Sequence, residues 1–216
     1  MMFKSSLLLI LFTLVSQTLK SQIANDSSLF KKEFLSIAEA LKDPENVYRL
    51  NLSNQNIPLT DSIWSKFPNL EYLSLKNDHL KIIPDGIGNL KNLKVLDLSG
   101  NDFKVLPSTF SGLSNLEELY LNDEKYFQFE KNVLILSKLP NLKSLHLEND
   151  GLKKLPKSFY QLKNLEYLYL NNNQFKKVPV EIMRLQKLKY LDFHDNKFKL
   201  PIQYNPDSGF GPKIIF

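Results

Sequence analysis

The chain of 216 residues has no cysteine. That removes disulfide scaffolds, thiolate nucleophiles, Cys-ligated zinc and lipid attachment through a cysteine. Glycine is scarce, with seven residues, which argues against an enzyme built on glycine-rich phosphate loops. There are only three histidines, and no serine or paired carboxylate sits in a context that demands nucleophilic or acid–base work. Long apolar runs are missing too: beyond residue 15 nothing approaches the roughly 20 residues a bilayer-spanning helix needs. What is present is 43% hydrophobic and 24% charged, enough apolar mass to bury a core, with a formal charge of +5. A basic excess of that size points to nucleic acid only when it is concentrated on one face.

The first residues read as a secretory signal peptide. Lys4 precedes the apolar run Leu7–Val15, and the polar stretch Ser16–Ser21 follows it. A basic start, a short hydrophobic middle and small residues at the end are the anatomy of such a segment. The expected cut falls after Ser21, with no transmembrane anchor. The expected location is therefore secreted or periplasmic in a bacterium. Losing Lys4 and Lys20 would leave 26 basic against 23 acidic residues.

From Val47 onward the chain repeats itself. One pattern, Leu-x-x-Leu-x-Leu followed by a polar and then an apolar residue, begins at Val47, Leu70, Leu93, Leu116, Leu142, Leu165 and Leu188, with steps of 23, 23, 23, 26, 23 and 23 residues. A fixed period of this length means a solenoid, because one unit cannot bury its apolar side alone and must stack on its neighbours. Leucines alternating with polar or aromatic residues have the period of a strand with one buried face. Parallel strands covered on both faces read as continuous apolar runs. These do not, so one face of the stacked sheet is expected to stay open.

Leu93-Lys-Val-Leu96-Asp-Leu98-Ser-Gly-Asn101-Asp-Phe103 and Leu165-Glu-Tyr-Leu168-Tyr-Leu170-Asn-Asn-Asn173-Gln-Phe175 resemble the leucine-rich repeat family at every signature position. Leu106-Pro107…Phe110…Leu113 and Leu155-Pro156…Phe159…Leu162 resemble its second half. The resemblance implies an α/β repeat solenoid, a leucine-rich repeat arc of seven parallel concave strands and a non-catalytic interaction module. It is closest to the bacterial, 23-residue type. The expected organisation is a signal peptide over 1–21, an N-terminal helical cap over 22–46, seven repeats over 47–200 and a short C-terminal cap over 201–216. The front cap is expected as a helix with Phe30, Phe34, Ile37, Ala38 and Leu41 on one face, stopped by Asp43-Pro44. Tyr204, Phe210, Ile214, Ile215 and Phe216 supply the rear cover. Such covers are needed because both ends of a solenoid expose an edge.

A polar residue after each strand lets a side chain satisfy turn backbone that the sheet ladder cannot reach. Asn101, Asn173 and Asn196 hold that place, with Gln55, Asp78 and Asp150 as substitutes. Glu124 departs from the pattern and coincides with the 26-residue unit, so a local bulge or irregular turn is expected there. The Leu-Pro side should form loops or short helical turns.

The register also names the residues facing out of the open sheet. At or beside those positions, five cations stand against nine carboxylates, so this face is acidic while the molecule is basic. Phosphates are repelled by such a face, which excludes nucleic acid as its ligand. Lysines gather elsewhere, at Lys81, Lys104, Lys153, Lys176 and Lys199. The central outward row ends in Tyr120, His146, Tyr169 and Asp192, and the row two places earlier in Glu118, Ser144, Tyr167 and Tyr190. Tyrosine is enriched at the energetic centres of binding surfaces because it offers large contact area at little entropic cost. The expected recognition patch is Tyr120, His146, Tyr167, Tyr169, Tyr190 and Glu118, rimmed by Glu148, Asp192 and His194. No cofactor or metal is expected, since His146, Glu148 and His194 do not lie on adjacent strands. The expected partner is a protein, with a surface glycan as the second class, bound by a monomer. The competing reading is a structural or adhesive envelope protein that self-associates.

Overall fold

In the computed structural model, residues 31–198 and 212–216 are described. The expected signal peptide over 1–21, Phe30, Lys199, Tyr204 and Phe210 lie outside them. Contacts divide the chain into Met1–Lys32 and Glu33–Phe216. The second unit is built on one sheet of nine parallel strands in sequential order. The seven strands that follow from the repeats are β2 (Arg49–Asn51), β3 (Tyr72–Ser74), β4 (Val95–Asp97), β5 (Glu118–Tyr120), β6 (Ser144–His146), β7 (Tyr167–Tyr169) and β8 (Tyr190–Asp192). Two more flank them, β1 (Glu33–Phe34) and β9 (Lys213–Ile215). Every pair is in phase, so that Leu50, Leu73, Leu96, Leu119, Leu145, Leu168 and Leu191 form one row, each fully buried.

That row is the core, together with the parallel row from Leu52 to Phe193, and Phe103, Phe110, Phe159 and Phe175 close it from the side opposite the open face. Each such side chain removed from water contributes about 1.5–3 kcal/mol. The chain returns between strands through short helical turns. Prolines 84, 107 and 156 precede 3-10 turns at Asp85–Asn89, Ser108–Gly112 and Lys157–Gln161, with φ of −59°, −65° and −65° that the pyrrolidine ring holds without cost. Successive turns pack so closely that a Cβ at Gly86 would run into the Asp61 carbonyl.

The front cap differs from the expected helix. Glu33–Phe34 pair with Arg49–Leu50, and only Ile37–Ala40 are α-helical, capped by Ser36, whose Oγ accepts the Glu39 N–H, with a 3-10 turn at Pro44–Asn46. Phe34 and Ala40 enter the core, whereas Ala38 and Leu41 are exposed. A strand pairs with the open hydrogen-bonding edge of β2, which a helix could cover but not hydrogen-bond in register. At the other end β9 pairs with β8, and the Phe216 ring stands edge-on to Phe198 at 5.4 Å.

The 26-residue unit does not bulge the sheet, since β5 and β6 pair without a break. Its extra residues are absorbed after Glu124, in a turn at 125–126 and the two-turn helix Phe129–Leu136, which replaces a 3-10 turn. Inside this detour Asn132 is fully buried. It accepts the Leu106 N–H at 2.7 Å and donates to the Lys104 and Gln128 carbonyls.

The polar residue after each strand reaches back to the previous repeat. Asn101 Oδ1 accepts the N–H groups of Asp78 and Leu80, while its Nδ2 donates to the Leu75 and Leu98 carbonyls. Asn173 does the same for Asp150, Leu152, Leu147 and Leu170. Asp78 accepts from Gln55, Glu124 from Asn101, and Asp150 from Glu124, so the ladder runs unbroken through the substitutes. Carboxylates, however, can only accept. Burial, opposed by one backbone N–H bond each and reinforced by neighbouring carboxylates, raises Glu124 and Asp150 to about 8. Glu124 Oε2 is buried without a partner.

These two groups hold protons in the folded chain that the unfolded chain gives up near its ordinary carboxylate range. Their contribution is full below that range and is lost as pH rises through about 8. Thermal melts should therefore show a midpoint that falls between mildly acidic and mildly alkaline pH. Asp150→Asn supplies the donor that Asn101 and Asn173 use. It should raise the midpoint by a few degrees at alkaline pH, worth about 1–3 kcal/mol, and flatten the pH dependence.

Candidate binding face

Parallel in-phase strands turn each repeat position into a stripe across the open face. The first stripe is electrostatic: Lys94 pairs with Glu71 at 3.3 Å, Lys143 with Glu117 at 2.9 Å and Lys189 with Glu166 at 2.6 Å. Six of the charges at this face thus neutralise one another. Over the first strands the face carries Asn51, Ser74, Val95, the Asp97 carboxylate and the Arg49 guanidinium, which lies 4.0 Å above the Tyr72 ring and 3.1 Å from Glu33.

The aromatic cluster begins at β5. Tyr120, His146 and Tyr169 are direct cross-strand partners, and so are Tyr167 and Tyr190. The His146 ring stacks between the other two, 3.9 Å from Tyr120 at 17° and 4.2 Å from Tyr169 at 6°. Tyr190 extends the row, 5.4 Å from Tyr169. Two carboxylates clamp the imidazole in plane. His146 Nε2 lies 2.9 Å from Glu118 Oε1, which also accepts the Tyr120 hydroxyl at 2.8 Å, and Nδ1 is 3.5 Å from Glu148. Ser144 Oγ completes the contacts at 3.2 Å.

Burial pulls the His146 imidazolium down, but hydrogen bonds and charge from Glu118 and Glu148 outweigh it and leave the group above its ordinary 6.5. The hydrogen bond from His146 holds Glu118 below the ordinary carboxylate range against its own desolvation. Burial and nearby carboxylates raise the Tyr120, Tyr169 and Tyr190 hydroxyls above their ordinary value.

All nine sequence-derived residues lie on β5 to β8 or just after them, but they are not equally accessible. Tyr167 is 39% exposed, and Glu118, Glu148, Tyr120, Tyr169, Tyr190 and His194 are partly exposed. His146, expected as a contact residue, is only 7% exposed. Both faces of its ring are covered, so it positions the tyrosines. Asp192, expected at the rim, is buried as well, accepting the backbone N–H of His194 at 3.1 Å and facing its Nδ1 at 2.6 Å. His194 stays with Asp192 and Asp195 rather than joining His146, and among the described residues no group of His, Asp and Glu could hold a metal ion.

Two recurring features escaped the sequence reading. Asn69, Asn92, Asn115, Asn141 and Asn164, each just before the first leucine of a repeat, donate to a carbonyl of the previous repeat at 2.8–2.9 Å. Asn54, Asn77, Gly100, Asp123, Asn149, Asn172 and Asp195 share one repeat position, and all have positive φ. The side chain of Asn149 bridges to Asp123, and that of Asn172 to Asn149. The signal for both was in the sequence as residue types recurring at a fixed place in the period.

Two family descriptions match the chain, "leucine-rich repeat region" over residues 50–134 and "leucine rich repeat" over 137–198. No curated protein matches it. Among solved structures, an LRR protein of Leptospira interrogans is 32% identical over 78% of this chain, with a TM-score of 0.59. TLR13 in its complex with ssRNA13 is 33% identical over 69%, with a TM-score of 0.61. The chain spans about half of the first (48%) and about a fifth of the second (22%).

Protonated His146 stabilises the fold below its unfolded value, and this contribution is lost as pH rises through the raised folded value. Its NMR titration midpoint should lie above the ordinary 6.5. Glu118→Gln and Glu148→Gln should each move it down, and an unmoved midpoint would remove the clamp.

Proposed function

Since the chain belongs to the leucine-rich repeat family, we propose that it is a non-catalytic binding module that docks a protein on the open sheet face of β5 to β8. Leucine-rich repeat domains generally mediate protein–protein recognition and are typically not enzymes. The observation that carries the reading is the fixed row of rings from Tyr120 to Tyr190 on a sheet face that no other element covers among the described residues. Rigid, amphipathic aromatic side chains held in place before binding lose little entropy when a partner arrives. Their hydroxyls, and Glu118 and Glu148 beside them, add polar specificity.

The TLR13 neighbour was solved with an RNA. On this chain the same ligand class is disfavoured, because the partly exposed carboxylates Asp97, Glu118 and Glu148 stand on the open face and repel phosphate. The competing adhesive reading requires self-association, which light scattering across a concentration series measures.

Tyr120→Ala combined with Tyr169→Ala should abolish capture of the partner from the native source, while thermal melts stay cooperative and fall only by the few degrees that the lost stacking on His146 accounts for. Removing two central aromatic contacts typically costs at least about 2 kcal/mol each. Undiminished capture by this variant would overturn the site.

The proposal includes location: residues 1–21 direct export and are removed. N-terminal sequencing of the protein from its native source should begin at Gln22, and a retained Met1 would overturn this.

A further inference from the structure

Away from the open sheet, the lysines that the binding face does not use form a second stripe. Lys81, Lys104, Lys153 and Lys176 occupy the same place in their repeats, all exposed. The next place holds Ile82 and Val105 in the earlier repeats and Lys154 and Lys177 in the later ones. Because the strands pair in phase, these residues lie along one flank, stepping about 4.8 Å per repeat, roughly 20 Å from first to last. Lys81, Ile82, Lys104, Val105 and Tyr126 line one groove of about 690 Å³. Lys153, Lys154, Lys157, Lys177 and Val180 line another. Among the described residues none of these lysines forms an ion pair. Asp102, Glu130 and Glu181, the carboxylates at the grooves, are fewer than the lysines, and Asp102 is engaged by His79 at 3.4 Å.

We propose that this flank is a docking surface for an anionic lipid bilayer. The charge alone would suit any polyanion. The apolar side chains choose among them: Ile82 is 78% exposed and Val180 71%, with Val105 and Tyr126 about half exposed, all in the same grooves as the lysines. A soluble polysaccharide or RNA would leave those side chains in water. The interface of a bilayer takes them up while its anionic headgroups meet the ammonium groups. Neighbouring lysines keep their charge in water and extend apolar stems beneath it, which suits the same boundary. The flank lies at repeat positions other than those of the tyrosine row, so lipid contact leaves the open sheet face free. This inference therefore stands or falls independently of the protein partner.

The test is co-sedimentation of the full chain with vesicles of pure phosphatidylcholine and of phosphatidylcholine with about a third phosphatidylglycerol. Partition onto the anionic vesicles should be at least about tenfold stronger and should fall as salt shortens the screening length from about 10 Å towards 3 Å. The triple variant Lys153→Glu, Lys154→Glu, Lys177→Glu should lose that preference. Ile82→Ser with Val105→Ser and Val180→Ser should weaken binding several-fold at low salt. Every substituted residue is exposed, and coincident thermal melts qualify each variant. The apolar run at Leu7–Val15 is common to all the proteins compared, so their differences report the flank. Equal partition onto both vesicle types, unchanged binding by the lysine variant, or unchanged binding by the apolar variant would each overturn the proposal. So would capture by heparin or RNA through these lysines without vesicle binding.

Discussion

The interaction on which this fold depends is the hydrogen bond from the turn after one strand to a side chain of the next repeat. The strands are three residues long, so most backbone amides fall outside the sheet ladder. At the bend that follows, the amides face the interior, where an orphaned N–H costs about 1–3 kcal/mol. Asn101 and Asn173 remove that cost for four amides and four carbonyls between them. Because the acceptor always belongs to the following repeat, no repeat is complete by itself. Each end of the stack must then be finished by something else, and Glu33–Phe34 and Lys213–Ile215 extend the sheet at the two ends.

The same constraint fixes what the surface can be. A side chain that must reach the neighbouring repeat holds successive strands in phase, so equivalent positions stack and a residue type repeated at one position becomes a stripe. At the first outward position acids and bases alternate, and the stripe neutralises itself in three pairs. At the central position the stripe becomes Tyr120, His146 and Tyr169, whose rings lie closer together than the strand spacing of about 4.8 Å because they lean onto one another. The imidazole between them brings both a flat apolar face and two ring nitrogens for the carboxylates on either side. A third tyrosine in its place would offer no cation to Glu118 and Glu148.

Much of this was legible in the sequence because the period is so regular. The spacing of leucines placed every repeat strand and the face it shows, and the polar place after each strand named the ladder, substitutes included. The front cap was misread for a physical reason: a two-residue strand has no periodicity of its own, and Phe34, Ile37 and Leu41 happen to fit helical spacing. What decides the matter is the free edge of Arg49–Asn51, which is a property of the assembled sheet. The insertion in repeat four was expected as a local bulge or an irregular turn; there is no bulge, and the irregularity lies after Glu124, in a turn at 125–126 and a helix, rather than in the ladder. A glutamate long enough to reach the Asn101 amide keeps the ladder, and the extra length goes into Phe129–Leu136. The site residues were legible as positions but not as roles. Period two says that His146 and Asp192 point outward, yet large neighbours on adjacent strands bury them on the outward side.

Repeats four and five are where the chain departs most from its own rule, and the departures converge. Glu124 and Asp150 replace the asparagine that both accepts and donates, and each regains a donor only by holding a proton. Directly along the same strands, Glu118 and Glu148 beside His146 raise its affinity for a proton above the ordinary value. The asparagine rungs at 101 and 173 on either side do not titrate. Rising pH therefore withdraws stability from one stretch of the sheet through two kinds of group at once. That stretch is the one whose outward surface carries the centre of the aromatic row, while the leucine rows beneath it and the asparagine rungs beside it keep the sheet in register.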